Sequence, residues 1–248
     1  MTRASLRGGI IAAGEGSRLR ADGFSMPKPL VPVAGVPLIE RALFNLWEVG
    51  VTAPVVIVNE QSRACVDWVR QRFPDREVEF IVKTTRSSLE SFLEVSGRLS
   101  PSRSVICTVD AWCPAGEFEK FVEAALRRAA GTSVIAVTSL VDDEKPLWVE
   151  ADEAGAVQSL GRASATRPLV TAGIYMLSQA ALAKTPPPLP RLRDFLMWLH
   201  REGEPLYAET IGAVIDVDRA SDVARAEAAE ARELANRSDT FEGGTVER

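Results

Sequence analysis

Histidine is nearly missing from this chain: of 248 residues, only His200 carries an imidazole. A histidine-based triad or a multi-histidine metal site would have to rest on that one side chain. His200 falls late in an amphipathic pattern that ends at Gly203, so it reads as a surface or helix-end residue, and Ser/His/Asp hydrolysis is not expected. Cysteine is scarce as well. Cys65, Cys107 and Cys113 are odd in number and lack metal-site spacing, which fits buried, reduced thiols in a cytoplasmic protein. No apolar run approaches the roughly 18–20 residues of a membrane span. The basic N-terminus leads into only about five apolar residues before Glu15 and Arg18, so a cleaved signal peptide is not expected either. Nor is there a concentrated basic face. The 29 basic residues are interspersed with 34 acidic ones for a net charge of −5, which argues against a nucleic-acid partner.

What the chain does have is alternation. Apolar runs at 7–13, 55–58, 78–82, 104–109 and 133–137 read as strands. Between them lie amphipathic stretches beginning near Leu38, Gln61, Ser88 and residue 115, the third capped by Ser87 and Ser88. Four consecutive β-branched residues, Val55 to Val58, suit a sheet covered on both faces. After residue 140 the spacing changes: Leu147–Glu150, Ala156–Leu160 and Leu169–Leu177 are strands parted by turns. A helix from about Leu192 to Arg201, short strands at 206–208 and 214–215, and an alanine-rich helix near 221–235 follow. The expected fold is α/β: one Rossmann-like domain over 1–236, a mostly parallel mixed sheet with an antiparallel patch in its second half. Residues 237–248 read as a disordered tail.

The chemistry concentrates between Arg7 and Leu30. The first strand breaks at Gly14 and Gly16, Arg18 follows, and the segment closes on Pro27-Lys28-Pro29-Leu30. Glycines let a backbone approach phosphate oxygens, and fixed cations neutralise them. A dinucleotide fingerprint fails because Leu19 stands where the third glycine belongs, and a P-loop fails because the chain has no Gly-Lys pair. A loop gripping a nucleoside triphosphate through its backbone, Arg18 and Lys28 remains. Flanking prolines stiffen Lys28, which suits a lysine with something to hold. Asp110 ends an apolar strand at the edge where open parallel sheets bind ligands. Asp216 and Asp218 share one face of an extended segment, and a hard Mg²⁺ prefers such carboxylates together with phosphates and water. Asp222 reads as a helix-start residue favoured by the dipole.

Ile11-Ala12-Ala13-Gly14-Glu15-Gly16-Ser17-Arg18-Leu19 followed by Pro27-Lys28-Pro29-Leu30 resembles the signature of the nucleotidyltransferases typified by sugar-1-phosphate pyrophosphorylases. Val31 to Ile39, Thr171 to Tyr175 around Gly173, and Ile215 to Asp218 extend the resemblance along nearly the whole chain. It implies that the backbone at Ala12, Ala13 and Gly14, with Gly16, meets the nucleotide, and that Arg18 and Lys28 hold phosphates. It implies Mg²⁺ on Asp110 and Asp218 and places Gly173 on the acceptor side; Asp216 is a third candidate ligand by the alternation alone. The partners implied are a nucleoside triphosphate and a phosphorylated small acceptor, with a homodimer as one permitted assembly.

Two departures bear on the acceptor. Where hexose-1-phosphate enzymes of the family carry Glu-Lys ahead of the acceptor strand, this chain has Gly161-Arg162, which makes Arg162 a candidate acceptor ligand. Thr84 to Leu89 lacks the Gln and Gly of their base-reading loop and looks like the serine-containing loop, here Ser87-Ser88, of small cytidylyltransferases acting on phosphocholine or related alcohol phosphates. The length leaves no room for the C-terminal domains of longer relatives, so a short-form, small-substrate enzyme is expected. A non-catalytic nucleotide sensor and a nucleotide-sugar-dependent glycosyltransferase are the alternatives. The joint presence of Arg18, Lys28, Asp110 and Asp218 argues against the first. The place of Asp216-Val217-Asp218 near the C-terminus, beside a Pro-Lys-Pro element foreign to that class, argues against the second.

Overall fold

The alternation of β-branched residues divides the core in two. In the computed structural model, which describes residues 6–99, 103–114, 116–140, 146–161, 169–212 and 214–242, β1 (Arg7–Ala12) lies in the middle of a nine-stranded sheet. Parallel neighbours are β4 (Val55–Val58) on one side and β6 (Ser104–Thr108) on the other, with β5 (Glu79–Val82) parallel beyond β4. The hairpin β2 (Pro32–Val33) and β3 (Val36–Pro37), and the pair β7 (Ala111–Trp112) and β13 (Ile215–Asp216), stand apart from that sheet. Successive strand residues point to opposite faces. Ile10, Val56, Val58, Val105 and Cys107 join one apolar cluster, while Ile11, Val55, Ile57 and Ile106 join the other.

Each face is covered by helices whose apolar stripes match it. On the first lie α2 (Leu38–Glu48), α3 (Ala64–Arg72), α5 (Glu117–Arg127) and α8 (Ala220–Glu242), contributing Leu43, Val66, Phe121 and Ala226 among others. On the second lie α4 (Ser88–Leu99), α6 (Gln179–Ala183) and α7 (Leu192–Arg201), with Phe92 and Phe195 in ring contact at 5.0 Å. One five-residue helix, α1 (Ser17–Ala21), follows the first strand.

In the second half, β11 (Leu169–Leu177) runs antiparallel to β6, and also to β8 (Ser133–Thr138) and β9 (Trp148–Ala151). β10 (Val157–Leu160) pairs antiparallel with β9, and β12 (Leu206–Thr210) pairs parallel with β8. The sheet is therefore mixed as expected, though β8–β12 returns to the parallel sense. The β11–β8 register shifts between Thr171 and Tyr175, and Gly173 sits within the shift at φ +70°. A β-carbon at Gly173 would lie 2.7 Å from Thr108 Oγ1, so only glycine fits both the backbone and the space.

Several boundaries differ from expectation. The segment 61–73 is a short 3-10 turn, Glu60–Ser62, and then α3, because the Asn59 side chain accepts from the Ser62 N–H and caps that turn. The glycine segment is not an open loop throughout, since α1 begins directly after Gly16. β7 carries no apolar run of its own; β13 supplies its pairing. The last helix passes the expected end near 235, taking in 237–242 of the segment read as a tail; residues 243–248 lie outside the described ones. All three cysteines are free and buried. No helix among the described residues is long and apolar enough to cross a membrane.

Candidate active site

β1 delivers its chain to the C-terminal edge of the sheet with Ala12 buried, Ala13 half-buried and Gly14 exposed. The turn there is held from behind. Asn59, at the end of β4 and 3% exposed, donates through Nδ2 to the carbonyls of Ala13 at 3.2 Å and Gly14 at 3.1 Å. Those two bonds fix the carbonyls of the turn that leads into Gly16. Gly16 then turns the chain at φ +62°, and a β-carbon there would stand 2.7 Å from Lys28 Cβ. Gly14 has neither restriction, for a β-carbon on it would meet nothing within 4 Å.

Lys28 opens a 3-10 turn, Lys28–Leu30, with Pro27 as its cap, and is 7% exposed. Its ammonium donates to Asp110 Oδ2 at 2.5 Å and to Asp218 Oδ1, residues 82 and 190 positions away. Arg18 Nη1 donates to Asp218 Oδ2 at 3.0 Å. Burial alone would push the Lys28 amine down; the charges of Asp110, Asp218 and Asp216 outweigh it and hold the pKa above the usual lysine value. Burial likewise pushes Asp110 up, and the Lys28 charge and hydrogen bonds from Lys28 and Thr108 overcome it, leaving the carboxyl below its ordinary range.

The carboxylates converge because two short strands do. Asp216 in β13 pairs with Ala111 in β7, Ile215 pairs with Trp112, and the Val217 N–H donates to the Asp110 carbonyl at 3.0 Å. Val217 is buried while Asp216 and Asp218 emerge on the other side, as the two-residue alternation requires. Asp222 does more than favour a helix start: its Oδ2 accepts the N–H groups of Asp218 at 2.9 Å and Arg219 at 2.7 Å, fixing the turn that presents Asp218. Asp22, after α1, accepts from Ala220 N–H at 2.9 Å and ties the same turn to the glycine segment. One oxygen each from Asp110, Asp216 and Asp218 lies within 4.8 Å of the others. Three hard oxygen donors of this kind suit a divalent cation such as Mg²⁺.

Beside the carboxylates opens a cleft of about 300 Å³, lined by Asp110, Asp216, Gly173, Thr171, Ser88 and Arg193 among others. The structure thus brings Arg18, Lys28, Asp110, Asp216 and Asp218 together, with Gly173 and Ser88 on the cleft. Ser88 Oγ accepts from Leu192 N–H at 3.1 Å, and Ser87 Oγ caps α4 by accepting from Glu90 N–H at 3.2 Å. Ala12, Ala13, Gly14 and Gly16 do not line this cleft. Arg162 lies outside the described residues. Lys83 is held by Glu90 at 3.0 Å and Glu94 at 2.6 Å. His200 stands near the end of α7, its Nε2 3.3 Å from the Gln158 carbonyl oxygen. Sequence reasoning missed Asn59, Asp22 and Arg193. Asn59 could have been found as a polar residue directly after a strand of four β-branched residues; nothing local marks the other two.

The model of the MobA-like NTP transferase domain matches residues 8–178. Among proteins with similar sequences, the CMP-5'-(3-aminopropyl)phosphonate synthase of Streptomyces rubellomurinus is 29% identical over 194 residues, 71% of this chain and 29% of that protein. The probable mannose-1-phosphate guanylyltransferase 1 of Oryza sativa subsp. japonica is 34% identical over 94 residues, 38% of this chain and 25% of that protein. The matches thus span less than a third of these relatives' own length. Among solved structures, the inositol-1-phosphate CTP transferase from T. maritima superposes with a TM-score of 0.74 at 18% identity, covering 89% of this chain and 92% of that one. A putative glucose-1-phosphate thymidylyltransferase from Bacillus anthracis gives 0.77 at 19% identity, covering 91% and 95%. At these identities the two structures establish a shared fold.

Proposed function

The chain belongs to the MobA-like NTP transferase domain family, and from that premise we propose that it transfers a nucleoside monophosphate from a nucleoside triphosphate to the phosphate of a small acceptor, releasing pyrophosphate. The observation that carries this reading is Lys28: a buried lysine whose Cβ packs against Gly16 of the glycine segment and whose ammonium is bonded to Asp110 and Asp218. It joins the segment suited to a triphosphate to the carboxylates suited to a metal.

In the reaction an oxygen of the acceptor phosphate forms a bond to the α-phosphorus, the bond from that phosphorus to the α–β bridging oxygen breaks, and pyrophosphate leaves with the electron pair. The acceptor is already ionised, so no strong general base is needed, in keeping with a single histidine near the far end of α7. The backbone after Gly14 receives the triphosphate, Arg18 and Lys28 neutralise charge as it shifts toward the leaving group, and the shape of the site aligns the two phosphates. Asp110, Asp216 and Asp218 would hold Mg²⁺, which supplies further neutralisation of phosphate charge when bound. Ser87-Ser88 at the head of α4 and Gly173 in β11 are assigned to base and acceptor contacts respectively.

A pyrophosphate-release screen tests this: four nucleoside triphosphates with Mg²⁺, crossed with hexose 1-phosphates, phosphocholine, inositol phosphate and short alkyl phosphonates. At least one pair should turn over, and chelation of Mg²⁺ should stop it. Silence from every pair would remove the reading. Lys28→Ala and Asp110→Asn should each lower kcat by about 10²–10³ or more; near-wild-type turnover in either would show that the site is wrongly assigned.

A further inference from the structure

Both oxygens of the Asp218 carboxylate are engaged by cations of the chain itself. Lys28 Nζ donates to Oδ1 and Arg18 Nη1 donates to Oδ2 at 3.0 Å, while the same ammonium donates to Asp110 Oδ2 at 2.5 Å. Two of the three carboxylates suited to a divalent cation are thus held by the two residues suited to phosphate. A carboxylate oxygen keeps a second lone pair, so sharing it between two cations is sterically open. Electrostatically it is poor: charges of +2 and +1 about 5 Å apart across one carboxylate repel by about a tenfold factor in binding, even at the dielectric of water.

The carboxylates do not depend on these cations for their place. Asp222 fixes the N–H groups of Asp218 and Arg219, and Asp22 ties Ala220 to the end of α1. The Asp110 backbone is held by Val217 N–H, and its carboxyl also bonds to Thr108. The two cations differ in freedom. The Lys28 side chain is 6% exposed, with its Cβ against Gly16, whereas that of Arg18 is 46% exposed. Lys28 and Arg18 therefore compete for ligand oxygens more than they brace them.

We propose that Lys28 and Arg18 gate the carboxylates: without a triphosphate they occupy Asp110 and Asp218 and keep a divalent cation weakly held, and the triphosphate opens the carboxylates by giving both cations phosphate oxygens to pair with. This rests on the nucleotidyl-transfer reading and adds a coupling to it. Triphosphate and metal each raise the other's affinity by the same factor.

The test is a Mn²⁺ titration of the full chain without nucleotide, read from the EPR signal of the free ion, with folding of each variant checked by circular dichroism. Lys28→Met and Arg18→Gln should each bind Mn²⁺ about tenfold more tightly than wild type, and Asp110→Asn should bind it more weakly. Loss of a brace would loosen the site, so a gain separates competition from a structural role. If Lys28→Met does not fold, Arg18→Gln, altered at the exposed cation, carries the comparison. Calorimetry adds the nucleotide: Mg²⁺ should tighten binding of a non-hydrolysable triphosphate about tenfold less in Arg18→Gln than in wild type. Unchanged or weaker Mn²⁺ binding in the folded variants would overturn the gate and leave nucleotidyl transfer standing. Asp110→Asn binding as tightly as wild type would overturn it too, by placing the ion elsewhere. An equal effect of Mg²⁺ in wild type and Arg18→Gln would overturn the exchange at Arg18. Tighter Mn²⁺ binding beside a silent pyrophosphate-release screen would support the competition and remove the transfer reading.

Discussion

Gly16 and Lys28 fix each other. A β-carbon at Gly16 would press on Lys28 Cβ and would also carry a left-handed φ that costs a side-chain-bearing residue about 1–2 kcal/mol. Gly16→Ala should therefore lower urea-melt stability by about that amount and displace Lys28, with a loss of kcat, whereas Gly14→Ala should leave stability within about 0.5 kcal/mol. Both glycines read alike in the sequence; the left-handed φ of Gly16 and its contact with Lys28 separate them. The ion cluster has its own pH signature. Asp110 is held below the ordinary carboxylate pKa of about 3.9, so its contribution is present above that value and is lost as pH falls through the lower folded one. Lys28 is held above about 10.4, so its contribution is present below that value and is lost as pH rises through the higher folded one. In metal-free buffer, Lys28→Met should cost on the order of 2 kcal/mol between about pH 5 and 9, less than a fully buried pair because the Asp110 and Asp218 side chains keep 23% and 33% exposure. The gap between wild type and variant should narrow on both sides of that window. Asn59→Asp replaces the donor pair behind Ala13 and Gly14 with a carboxylate facing two carbonyl oxygens. It should raise KM for the triphosphate by about tenfold while leaving KM for the acceptor nearly unchanged.

Among the elements, the long ones were legible and the short ones were not. β4 announces itself by four β-branched residues, and α2, α4 and α7 by apolar spacing, because each buries a face of its own. β7 and β13 have two residues apiece and exist by pairing with each other, a contact between positions about a hundred residues apart that local propensity does not encode. Yet this pair decides whether Asp110 meets Asp218. The carboxylates themselves could be named from the strand end and the alternation; that Lys28 would bridge them could not. The bulge in β11 is another element of this kind. Gly173→Ala would push Thr108, and through it Asp110, so it should lower kcat as well as raise KM for the acceptor, and should cost about 1–2 kcal/mol of stability. A change confined to acceptor KM would mean that Gly173 only shapes the cleft.

Over the whole molecule, one sheet is shared by both apolar clusters, so the helices of either face have no core without it. The site draws on β1, the turn at Lys28, β7 and the segment after β13, and the protein must therefore fold as a unit to have it at all. A ligand bound across these parts should stabilise all of them together: at a hundred times its Kd, a nucleoside triphosphate with Mg²⁺ should add about 2.7 kcal/mol to unfolding. The cleft proposed for the acceptor is the part least legible in the sequence, because its walls come from β8, β11, α4 and α7, which meet only in the fold. The most direct test of nucleotidyl transfer is ³¹P NMR of the triphosphate, Mg²⁺ and the acceptor that turns over in the screen. Pyrophosphate and a new diphosphate linkage between the α-phosphorus and the acceptor phosphorus should appear in equal amounts, and neither should form with Asp110→Asn. Release of inorganic phosphate or pyrophosphate with the acceptor unchanged would contradict the account.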